Sequence, residues 1–143
     1  MNVIVHCDRV EVSTDIGPDI ADITDQLGRI VERSGVENGS LHASVIGSTG
    51  SLTTIEYEPG VVEDLSRAIT RLAPPAPGME YEHEKAWHDG NGHSHVQAAL
   101  LGPSVAIPIR HGVLALGTWQ QVVLINHDNG PRQRQAEVTV IGT

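Results

Sequence analysis

The apolar runs of this chain are made chiefly of valine and isoleucine, with no phenylalanine and only two Trp and two Tyr. A core of that kind is built from Val, Ile, Leu and Ala, and β-branched side chains sit well on a pleated surface. Sheet is therefore the first expectation. At 143 residues the chain is long enough for one such core, so we read 1–143 as a single domain that needs neither disulfides nor a structural metal to fold.

Periodicity then divides the chain. Val3, Val5 and Cys7, followed by Val10 and Val12, alternate with polar residues and read as an opening hairpin. From Asp22 the period changes: Ile23, Leu27, Ile30 and Val31 recur at helical spacing, an Asp or Thr is available as a cap, and Ser34-Gly35 supplies a stop. Leu41 to Ile55 reads as strand broken by Gly47-Ser48-Thr49-Gly50. Pro59-Gly60 opens a second helix with the stripe Val61, Val62, Leu65, Ala68, Ile69 and Leu72, ended by Pro74-Pro75. A short helical piece over 96–101 closes at Gly102-Pro103, and strands follow over 105–109, 113–116, 120–125 and 135–141. About seven mainly antiparallel strands with two longer helices, not in regular alternation, predict an α+β fold.

Charge narrows the partners. Eighteen acidic against nine basic residues give a net charge of −9, which repels phosphate backbones and anionic lipid heads, so neither nucleic acid nor a membrane surface is expected as a partner. The single Cys7 has no internal disulfide partner, and no apolar run approaches spanning length or follows a basic leader. A cytoplasmic protein is the expectation. Glycine fingerprints of dinucleotide sites, the phosphate-loop lysine motif and recognisable nucleophile motifs are all missing.

One segment gathers chemistry. Trp87-His88-Asp89-Gly90-Asn91-Gly92-His93-Ser94-His95 puts three imidazoles, a carboxylate and a carboxamide into nine residues. Neutral imidazole and carboxylate oxygen are the usual donors to zinc and similar ions, while Gly, Asn and Asp are also what any exposed turn contains. Further on, Arg132 and Arg134 stand two apart at the head of a strand and so point to one face, where paired guanidinium groups suit a carboxylate or phosphate. Trp119 reads as a core or subunit-contact residue, and Gln120 either binds a ligand or satisfies backbone. Glu56, Glu58, Glu80, Glu82 and Glu84, and His83 among them, read as a solvated strand face.

The stretches Gly47-Ser48-Thr49-Gly50-Ser51-Leu52, Asp89-Gly90-Asn91-Gly92-His93-Ser94-His95, Leu116-Gly117-Thr118-Trp119-Gln120 and Pro131-Arg132-Gln133-Arg134, in that order, resemble the YjbQ-like family of small bacterial and archaeal proteins. The resemblance spans nearly the whole chain. It implies a sandwich-like arrangement of seven strands and a homotrimer. Family members are often labelled secondary thiamine-phosphate synthase enzymes, because some weakly join the pyrimidine and thiazole halves of thiamine phosphate. Carried onto this chain, the resemblance implies Asp89, Asn91 and Gln120 as catalytic residues and Arg132, Ser48 and Thr49 as substrate-binding residues. It also implies His93 and His95 as ligands of a divalent metal, zinc or magnesium, with His88 added from local spacing. Many members carry a histidine where this chain has Gly47, so either His88 compensates or metal is held less tightly. Two functions follow as expectations: a weak transferase acting on phosphorylated substrates, or a non-catalytic trimer that binds a phosphorylated metabolite or a metal.

Overall fold

The computed structural model describes residues 2–75 and 80–143. Its elements are β1 (Ile4–Thr14), β2 (Asp19–Asp22), α1 (Thr24–Ser34), β3 (Asn38–Val45), β4 (Gly50–Ile55), α2 (Pro59–Leu72), α3 (Glu82–Trp87), α4 (Gly92–Leu101), β5 (Ser104–Arg110), β6 (Val113–Leu114), β7 (Gln121–Asn126) and β8 (Arg132–Gly142). The strands form two antiparallel sheets, ordered β1-β8-β3-β5-β6 and β2-β7-β4. The architecture is α+β.

The main core lies between the sheets. Val10, Leu41, Ala43, Val45, Ile107, Ile109, Ala136, Val138 and Val140 of the large sheet meet Leu52, Val122 and Leu124 of the small one, and Ile23, Leu27, Ile30 and Val31 of α1 close the cluster. On the other face of the small sheet, Val123 and Ile125 pack with Ile20, Ile69, Val62 and Leu65. Strand β7 is thus covered on both sides, Val122 and Leu124 one way and Val123 and Ile125 the other, which is why Val122 to Ile125 is continuously apolar rather than alternating.

Local signals account for the helix ends. Gly35 ends α1 with φ 73°, the left-handed conformation that glycine adopts at no steric cost. The Glu58 carboxylate accepts from the Gly60 and Val61 amides, and Pro59 occupies the first turn of α2. Among the described residues no helix is long and apolar enough to cross a membrane.

Three expectations change. The opening hairpin is instead one strand, β1, paired residue for residue with β8 from Ile4↔Gly142 to Thr14↔Arg132. Eleven alternating residues match an eleven-residue partner, and no turn signal interrupts them. The acidic stretch around Glu82 and Glu84 is not strand but the helix α3. Its acidic residues lie in the first turn and Lys85 in the last, the order that complements the helix dipole. Finally, α4 begins at Gly92, so His93 and His95 ride on a helix rather than in a glycine loop. An eighth strand arises because β2 is a four-residue segment too short to show a period.

Candidate functional site

The two sheets end together near one point. Gly50, opening β4, is paired with Asn126, closing β7, and Arg132 opens β8 opposite Thr14. The segments 46–49, 88–91 and 127–131 meet there. Asn91 sews two of them: its Oδ1 accepts from the Ser94 hydroxyl at 2.8 Å and the Asn129 amide at 3.0 Å, and its Nδ2 donates to Asp128 Oδ1 at 3.3 Å. Asn129 returns a bond to the Asp89 carbonyl at 2.7 Å.

Asp128 is the hub. Only 3% exposed, it accepts from the Thr49 hydroxyl at 3.1 Å and the Gly130 amide at 3.1 Å, and Arg132 Nε lies 3.1 Å from its Oδ2. Burial opposes its charge, but the bonds from Thr49, Arg132 and Asn91 outweigh burial and hold its carboxyl below the usual range. Thr49, in turn, accepts from Arg134 and so bridges guanidinium and carboxylate. Arg134 is buried, and its Nε and one terminal nitrogen donate to Asn126 Oδ1 at 3.1 and 2.7 Å. Asn126 is oriented for that task because its Nδ2 donates to the Asp15 and Gly130 carbonyls. The remaining terminal nitrogen of Arg134 passes Gly47, where an added Cβ would come within 2.9 Å of it. Gly47 has φ 120°, a conformation side chains rarely tolerate, so the backbone itself yields space to the guanidinium.

Behind the hub runs a buried relay. His127, 1% exposed, accepts from the Ser51 hydroxyl at Nε2, 2.8 Å away, and its Nδ1 donates to Gln97 Oε1 at 2.9 Å. Gln97 Nε2 donates to the Ala73 carbonyl at 2.9 Å, which fixes the amide and, through it, the imidazole tautomer. Burial, with Arg134 and His93 nearby, pushes the His127 pKa down to about 4.

In front lies a cleft of about 410 Å³ lined by Ser48, Thr49, Asp89, Asn91, His95, Asp128, Arg132, Gln133 and Arg134. Seven of the nine residues expected from sequence fall at or beside it: Ser48, Thr49, Asp89, Asn91, His95 and Arg132 line it, and His93 lies behind. The two histidines of α4 do not converge as expected. Residues i and i+2 of a helix lie about 200° apart around its axis. His95 therefore faces the cleft, its ring 4.7 Å from that of His83. His93 is 8% exposed, with Nδ1 unpaired among the described residues. Burial lowers its pKa, partly offset by the Glu84 carboxylate, a hydrogen bond with the Gly90 backbone and the Asp128 carboxylate.

Two expected residues stand elsewhere. His88 is exposed and caps α3 in the left-handed conformation, φ 53°. Gln120 sits before β7 while His127 follows it, roughly 23 Å away at about 3.3 Å per residue. Its Oε1 accepts from the Gly117 amide and its Nε2 donates to Thr54. Within one chain Gln120 therefore lies outside the cleft that Arg132 lines, so the grouping inferred from sequence would hold only between subunits.

Residues not singled out for the site supply much of its frame. Glu84 Oε2 accepts from the Gly90 amide at 2.6 Å and Oε1 from the Gly92 amide at 2.8 Å, clamping the histidine segment. Burial works against its charge, but these two amides and His83 hold its carboxyl below the ordinary range. His83 Nδ1 stands 3.3 Å from Glu84 and 3.4 Å from Asp89. Among the described residues, His83, Glu84 and Asp89 are the set of three whose ligand atoms gather closely enough for one ion; His88, His93 and His95 are not such a set. The donors present are of the kind that holds a divalent metal. The one sequence signal for His83 was its spacing of six residues from Asp89 and twelve from His95.

The family description "UPF0047 protein YjbQ-like" matches residues 8–143. A UPF0047 protein of Archaeoglobus fulgidus is 37% identical over 123 residues, covering 86% of this chain and 91% of that one. The UPF0047 protein YjbQ of Salmonella typhimurium is 35% identical over 115 residues, 78% of this chain and 79% of that one. In three dimensions the chain is similar to a crystal structure from Sulfolobus solfataricus described as a protein of unknown function, with TM-score 0.92 and 34% identity over 99% of this chain and 100% of that one. A hypothetical protein of Aeropyrum pernix gives TM-score 0.85 and 29% identity over 96% and 99% of the two chains. With its sequence matched almost end to end and its two-sheet architecture shared, the chain belongs to the UPF0047 YjbQ-like family.

Proposed function

We propose that the cleft takes a phosphorylated small molecule and that the chain acts on it as a weak transferase of the thiamine-phosphate-forming type. The observation that carries this reading is the pair Arg132 and Arg134 on one face of β8, both lining the same cleft. Arg132 is tethered to Asp128 through Nε, which leaves its terminal nitrogens for a ligand. Arg134 offers the nitrogen that passes Gly47. Two oriented guanidinium groups suit a phosphate, and in a transfer that releases pyrophosphate they stabilise the charge that develops on the departing oxygens. Ser48 adds a hydroxyl at the rim, Thr49 holds Asp128 and Arg134 in place behind it, and His95 is the group positioned to move a proton. A divalent ion bound near Asp89 would neutralise phosphate charge further. The assembly we propose is a homotrimer.

A second reading has a specific observation behind it: Asn91 and Asp128 are fully engaged by internal hydrogen bonds. A site framed that way suits holding a metabolite without turning it over. The test is release of pyrophosphate when the chain is given a pyrimidine pyrophosphate and a thiazole phosphate. Turnover that disappears in Arg132→Ala supports the transferase. Binding of either compound without turnover replaces it with the binding module.

A further inference from the structure

Helix α3 buries none of its side chains, so packing does not explain what it presents. His83 Nδ1 lies 3.3 Å from Glu84 Oε1 and 3.4 Å from Asp89 Oδ1, and one ligand atom from each of the three falls within 4.8 Å of the others. The shorter is a stretched hydrogen bond, beyond the usual N–H···O distance of about 2.9–3.0 Å. Both separations match the edge of a coordination tetrahedron, since ligands about 2.1 Å from a zinc-like ion stand about 3.4 Å apart. The ring of His95 approaches from α4, 4.7 Å from the ring of His83.

We infer that His83, Glu84 and Asp89 form the binding site of a divalent ion of zinc type, with the open side toward His95 and the arginine cleft. The mixed donors select the ion: imidazole with carboxylate suits zinc, whereas magnesium prefers oxygen ligands and keeps its waters. Charge gives the ion a purpose. In the cleft Arg132 and Arg134 are balanced by Asp128 and Asp89, so a dication held partly by Asp89 turns the cleft positive toward a phosphate. Only this last role rests on the reading of the cleft as a phosphate site; the ion site stands on its own geometry.

The experiment is calorimetric titration of zinc, alone, into the full chain stripped with chelator, with cobalt(II) absorption as a second readout. One zinc per chain is expected, with visible cobalt bands of a four-coordinate site in the wild type. His83→Gln and Asp89→Asn, each outside the apolar core, are expected to weaken binding on the order of tenfold or more, while His88→Gln leaves it unchanged. Absence of saturable zinc binding, unchanged affinity in both site variants, or tighter binding of magnesium would overturn the inference. Pyrophosphate titrated separately keeps the two readings apart. Pyrophosphate binding without zinc binding removes the ion site alone, and zinc binding without pyrophosphate binding removes the phosphate reading alone.

Discussion

Thr49 shows how much one hydroxyl can hold. It donates to the buried Asp128 and accepts from the buried Arg134, so Thr49→Val keeps the shape and leaves both charged groups short of a bond. Stranding a buried polar group costs about 1–3 kcal/mol, and urea denaturation is expected to show a loss of that size. His127 makes a prediction in pH. Its folded pKa of about 4 lies below the unfolded value of about 6.5. Between those values the unfolded chain binds the extra proton, so stability is full above about 6.5 and falls as pH drops toward 4, by on the order of 3 kcal/mol. Asp128, whose pKa is also lowered, loses its contribution at lower pH still. Urea midpoints measured from pH 7 to pH 4 should therefore slope in the wild type and flatten in His127→Gln; equal slopes would clear His127 of the effect.

At the scale of elements, the close approach of α4 to Tyr81, the residue before α3, depends on Gly92. An added Cβ there would meet Tyr81 Cβ at 2.5 Å, an atom fixed to the backbone that cannot swing aside. Gly92→Ala is expected to cost roughly 1–3 kcal/mol, the range for overpacking, read as a lower melting temperature. The sequence made some elements legible and hid others for physical reasons. Helix α2 and α1 bury a stripe, so their period is written in Ile23, Leu27, Ile30 and Val31 and in Val62, Leu65 and Ile69. Helix α3 buries nothing, so its Glu82, His83 and Glu84 carry no stripe and look like an exposed strand. The same lack hid the ion-site candidate. Arg134 was legible as half of a pair, but its burial was not, because that depends on Asn126 and Thr49 arriving from β7 and the segment before β4. His127 was hidden because a buried polar relay leaves no periodic trace.

At the scale of the whole molecule, the surface is unusual for a lone subunit. Trp119 is 73% exposed and Trp87 72%, with Leu100 at 59% and Val113 at 64%. Large indoles left in water suit a surface that another chain covers. Light scattering at micromolar concentration is expected to report three chains, and Trp119→Ser is expected to shift the population toward single chains; a wild-type monomer would sink the assembly. A trimer of chains each carrying −9 would gather strong negative charge, against which the arginines of the cleft must draw an anion. Whether that cleft holds an anion is the central question, and one titration asks it. Pyrophosphate is added to the wild type, to Arg132→Lys and to Arg67→Lys, the last an exposed residue of α2 that serves as control. Lysine keeps the charge but loses the planar fork. Wild type and Arg67→Lys are expected to bind alike, with Arg132→Lys weaker by roughly 1–3 kcal/mol. No binding to the wild type, or one affinity for both variants, would contradict the account.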